Sequence, residues 1–149
     1  MRRAHLIIAM LGWLPAAAVA QPLSAMLDAH AHYSAPDAEA CSADAVLAKL
    51  DAAGVRRLVV TSSPPHLAQQ LYQHAPERII PLLGVYASDR HKANWVHDSA
   101  LPARVAAQLE HGRWAGIGEL HLFAHDAQQP VFAQLARLAA TRKQVLMIH

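Results

Sequence analysis

Met26-Leu27-Asp28-Ala29-His30-Ala31-His32 is the stretch on which fold and chemistry both turn. Its polar residues recur every second position, which predicts a β-strand over residues 25–32 with Asp28, His30 and His32 on one face. Ser42 follows as an N-cap for a helix running to about Ala53, with Val46, Leu47 and Leu50 at helical spacing. Gly54 then serves as the residue that ends this helix.

The same alternation continues downstream. Residues 57–62 hold the unbroken apolar run Leu58-Val59-Val60, the mark of a strand buried on both faces, and Pro64-Pro65 forbids its continuation. A helix is predicted over 66–74, closed by Pro76, then a strand over 79–86. The polar segment 87–100 is predicted as a long functional loop, with Trp95 as a plug beneath it and with His91 and His97 in solvent. Pro102 opens a helix to about His111, residues 114–122 form a fourth strand, Pro130 opens a helix through about Arg142, and residues 144–149 form a fifth strand.

Five strands alternating with four helices define an α/β chain with a parallel sheet. A doubly wound dinucleotide fold is disfavoured, since no Gly-X-Gly-X-X-Gly follows the first strand. The remaining architecture is a partial TIM-type (β/α)8 barrel over residues 21–149. A whole barrel takes about 250 residues.

Residues 1–20 are set apart as a secretory signal: Arg2 and Arg3, an apolar run from Leu6 to Leu14, then Ala18-Val19-Ala20 as a small-residue cleavage site. The run is too short and too broken at Pro15 for a membrane span. The expected mature protein is secreted, into the periplasm, without a membrane anchor. Cleavage removes two of the thirteen Lys and Arg and leaves the charge balanced against eleven Asp and Glu, so the sequence pI of about 9.0 overstates its basicity. No cluster of Lys or Arg exceeds two consecutive residues, and no nucleic-acid partner is expected. Cys41 is the only cysteine, so no internal disulfide forms; it is expected as a half-buried small residue in the loop after the first strand.

The eleven histidines are the compositional anomaly. Two neutral imidazoles at i and i+2 can hold one first-row ion, and His30 and His32 sit where barrel enzymes keep their sites, at the C-terminal end of a strand. Asp28, one step deeper, is expected to orient a ligand. In Gly116-Ile117-Gly118-Glu119-Leu120-His121 the glycines permit close backbone approach and Glu119 faces the mouth, with His121 beside it by parity. Val145-Leu146-Met147-Ile148-His149 is an apolar strand that ends in a third ligand candidate.

Residues 26–32, then Gly118-Glu119, then Leu146-Met147-Ile148-His149, together resemble the metal-dependent amidohydrolase superfamily in order and spacing, in its amidohydrolase-related and TatD-like branches. The resemblance implies His30, His32, Glu119 and His149 as metal ligands, Glu119 as the catalytic carboxylate, and Asp28 and His121 behind them. It implies a divalent metal, Zn before Mn, Fe or Co, and a small amide, ester or lactone cleaved by a metal-activated water. It spans five of the family's eight strands and leaves the sixth-strand His and eighth-strand Asp without counterparts. The expectation is therefore an N-terminal portion of the enzyme, with open sheet edges that invite self-association. The alternatives are a truncated or catalytically inactive relative and a periplasmic metal-binding module.

Overall fold

A computed structural model describes residues 26–86 and 89–149 of the chain. The expected leader, residues 1–20, lies outside the described residues. Five strands are present: β1 (Met26–His32), β2 (Val55–Thr61), β3 (Ile79–Leu83), β4 (Gly116–Leu120) and β5 (Val145–Ile148). All pair in parallel in the order β1-β2-β3-β4-β5. Each strand thus lies beside its neighbour in sequence, the arrangement of a barrel wall rather than of a doubly wound sheet. The expected partial (β/α) barrel is the fold observed.

Among the described residues six α-helices connect the strands: α1 (Ala35–Ala40), α2 (Ala43–Ala52), α3 (His66–His74), α4 (Asp89–Asn94), α5 (Leu101–Leu109) and α6 (Pro130–Thr141). The four longer ones are those expected from periodicity. Ser42 caps α2, its hydroxyl accepting the Ala45 N–H at 3.3 Å, and Gly54 leaves that helix at φ +70°. The short helix α1 was not expected. Ser34 begins it by donating its N–H to the Asp37 carboxylate at 2.8 Å, with a proline in the first turn.

Residues 89–97 correct the expectation of an open loop. They form α4 and a 3-10 turn at Trp95–His97, and this turn drives Trp95 into the core. Trp95 is 1% exposed, meets Phe132 edge-on at 6.4 Å, and donates its indole N–H to the His121 carbonyl at 2.9 Å. His97 is exposed as expected, but His91 is not: it is half-buried between the Tyr86 ring and Asp98, 3.1 Å from that carboxylate. Cys41 is half-buried after α1, and its carbonyl accepts the Tyr33 hydroxyl at 2.7 Å.

The core forms in two parts. One lies among β1, β2, α2 and α3 around Val60, Ala68 and Leu71, and the other among β3, β4, α5 and α6 around Trp95, Val105, Leu120 and Leu135. Trp114 packs against both. Among the described residues no helix is long and apolar enough to cross a membrane.

Two register shifts matter for the site. Between Asp28 and Ala31, β1 spends three steps against two of β2; between Ile117 and Leu120, β4 does the same against β5. Such a bulge interrupts strand parity and re-aims side chains. Gly118, at φ +141°, supplies the second one. A Cβ there would stand 2.7 Å from the Met147 carbonyl oxygen, and one at Gly116 would stand 2.3 Å from that of Val145. Both glycines are therefore required for β4 and β5 to approach this closely.

Candidate metal centre

The residues nominated by spacing converge at the C-terminal ends of β1, β4 and β5. Glu119 stands at their centre, 5% exposed. Its Oε2 lies 3.3 Å from His30 Nε2 and 3.4 Å from His32 Nε2, while Oε1 meets His149 Nδ1 in a short contact. Two groups of potential ligand atoms result, His30–His32–Glu119 and Glu119–His121–His149, each with all atoms within 4.8 Å of one another. Glu119 belongs to both groups and gives a different oxygen to each set of imidazoles.

His121, expected behind the ligands, stands in the second group and stacks on His149 at 5.0 Å between ring centroids. It lies beside Glu119, where strand parity placed it, and offers a ligand atom of its own. Asp28 is in neither group. Its carboxylate accepts the His30 N–H at 3.0 Å, because the β1 bulge falls between Asp28 and Ala31 and ends the shared face that alternation predicts.

Electrostatics favours an ionised carboxylate. Burial pushes the Glu119 pKa up, but the hydrogen bond from His149 and the charges of His30, His121 and His149 outweigh it, and the net shift is downward. Burial and the nearby Lys92 ammonium lower the His121 pKa, so its imidazole is neutral and ligand-ready near pH 7. A buried carboxylate ringed by imidazole nitrogens needs positive charge to offset its desolvation. A divalent cation supplies that charge, and the donor set of imidazole nitrogen and carboxylate oxygen suits a first-row ion. The residues fit the group.

A cleft of about 500 Å³ opens beside Glu119. Ser62 and Ser63 line it, and so does Lys92 from the 87–100 segment. Tyr86, Thr61 and Ser34 also line it and were not singled out by sequence. Tyr86 accepts the His121 N–H at 2.6 Å, and burial first of all pushes its phenol up to about 12. Thr61, buried after β2, places its hydroxyl 2.9 Å from His32 Nδ1. No motif marked these contacts, because each joins residues about thirty positions apart.

Residues 27–149 match a family profile described as TatD related DNase. Comparison with curated proteins and with solved structures found no match. With the match running from β1 to the end of β5, the chain belongs to the TatD-related DNase family, within the metal-dependent hydrolase branch of the amidohydrolase superfamily.

Proposed function

We infer that this chain carries the metal-binding half-circle of a hydrolase that cleaves a small ester-type bond with water. The observation that carries the reading is Glu119, whose two oxygens serve two separate three-donor groups. His30 and His32 would hold one ion, His121 and His149 would hold a second, and Glu119 would offer an oxygen to each. A bound divalent ion, with Zn the first choice and Mn, Fe or Co next, would supply Lewis acidity and lower the pKa of its water to near neutrality.

The rest of the chemistry belongs to the chain. Glu119 stays ionised and is the carboxylate in place to take a proton from the attacking water and return it to the leaving group. Neutral His121 offers a second proton-handling group beside it. Thr61 holds the His32 ring, and Ser62, Ser63 and Tyr86 bound the space for substrate.

The cleft volume of about 500 Å³ favours a small substrate: a phosphoester, carboxylic ester, amide or lactone. DNA is the second reading, and the description of the family favours it. A panel of small esters and phosphoesters, run beside single-stranded and duplex DNA with each metal, separates the two. The double variant His30→Ala plus His32→Ala should lose metal by elemental analysis, and Glu119→Gln should lower turnover by about a hundredfold or more. Unchanged metal content in both variants defeats the centre, and metal retention without turnover by the wild type leaves a metal-binding module. Export to the periplasm follows from the leader reading, and the N-terminal mass of the protein recovered from that compartment tests it.

A further inference from the structure

The opposite end of the barrel wall carries a second hollow. It measures about 460 Å³ and lies at the N-terminal ends of β3 and β4, with a volume that suits a small ligand. Ala115, which lines it, precedes Glu119 by about 13 Å of extended strand, so the hollow is separate from the metal centre.

Arg57 on β2 and Arg113 before β4 both line this hollow, and both are exposed. Among the described residues no carboxylate pairs with either guanidinium, Glu77 beside the rim residue Pro76 included. Other acids are engaged elsewhere: Asp51 by Arg78 at 2.7 Å, and Glu110 by Arg142. Residues 1–25 contain no acid, and Asp89 opens α4 beyond the opposite end of β3.

The backbone that carries Arg113 is nonetheless fastened. Gln69 donates its side-chain amide to the Arg113 carbonyl at 2.7 Å and accepts the Arg113 N–H at 3.4 Å, while the Gln144 amide donates to the Trp114 carbonyl at 2.9 Å. Gly112, at φ +101°, makes room for this: a Cβ there would stand 2.9 Å from Gln69 Oε1. A charged side chain without a partner, on a backbone held from two sides, is preorganised for an anion and loses little freedom on binding it. Two guanidinium forks suit a phosphate group. Tyr72 and Trp114, both half-buried in the lining, add aromatic surface. Gln144 also lines the hollow, and its Oε1 is buried with no hydrogen-bond partner among the described residues, an acceptor that calls for an N–H donor.

We propose that this hollow is a second, non-catalytic binding site for a nucleoside monophosphate. The phosphate meets Arg57 and Arg113, the base lies against Tyr72 and Trp114, and an amino group of the base turns toward Gln144. Anion, flat ring and N–H donor are the three features the lining asks for, and none of them depends on the hydrolase reading.

The test is an amide NMR titration of the full chain, metal-free, with adenosine monophosphate, adenosine and inorganic phosphate in separate arms. Adenosine monophosphate should shift the amides of residues 112–115 and 144, and should bind about tenfold or more tightly than either adenosine or phosphate. Arg57→Met and Arg113→Met should each weaken the nucleotide about tenfold and leave adenosine within about twofold. Arg113→Lys should still lose several-fold, because a fork becomes a point charge. No nucleotide binding, shifts confined to the C-terminal ends of the strands, adenosine or phosphate alone binding as tightly as the nucleotide, or wild-type affinity in both methionine variants overturns the site.

Discussion

Thr61 shows how a single hydroxyl decides whether an imidazole can ligate. His32 Nε2 faces Glu119 at 3.4 Å, and a metal there needs the lone pair on that nitrogen. The ring proton then belongs on Nδ1, where the Thr61 oxygen, 2.9 Å away, accepts it. Thr61→Val keeps the shape and removes the acceptor. It should weaken metal affinity about 10- to 100-fold, measured by competition with a chromophoric chelator, and lower stability by about 1 kcal/mol in urea unfolding. Wild-type affinity in that variant would remove the positioning role. The histidines of this centre were legible in the sequence, because residue type and strand-end position together announce a ligand. Their supports were not: Thr61 lies 29 residues from His32, and only the pairing of β1 with β2 brings them together.

Among elements, the strands and the four longer helices follow from patterning because each buries a single face or run. The bulges were illegible, since a register shift is a property of two strands and neither sequence alone contains it. Asp28 was accordingly placed by a parity that the β1 bulge interrupts. The segment 87–100 misled for another reason: its polarity reads as loop, while one buried residue, Trp95, organises it. Asp98 ties that segment to α5. Above all the Arg104 hydrogen bond holds its carboxyl below the ordinary range, against some burial and with help from the Ala100 N–H and from the charges of Arg104 and His91. A folded pKa below the unfolded one contributes stability that is present above the unfolded pKa, near 4, and lost as pH falls through the folded value. Asp98→Asn should therefore flatten the acid limb of a stability-versus-pH curve and leave the slope above pH 6 alone. An identical acid limb in both proteins would show that the pair contributes nothing.

At the scale of the whole molecule the sheet curls without closing among the described residues. Met26 and Leu27 on β1 and Val145 and Ile148 on β5 are each about half exposed, between 48% and 56%. These strands carry partners on one side only within the described sheet. Unpaired parallel edges with apolar side chains template further pairing. The isolated chain should associate with rising concentration, and Leu27→Lys together with Val145→Lys should shift sedimentation toward the monomer. A wild-type chain that stays monomeric at every concentration would contradict this. Glu119 gives the same two edges a further relation. Its partners His30 and His149 sit on opposite margins of the curl, 119 positions apart in sequence. Any ion seated on these donors works as a clasp that ties the two margins through one buried carboxylate, and closing so long a loop costs the unfolded chain most. Metal should then slow amide exchange in β1 and β5 more than in β2 or β3, and a uniform effect across all five strands would show no clasp. Seen this way, the centre is a fastening as well as a reagent, and occupancy governs how firmly the half-circle keeps its curvature.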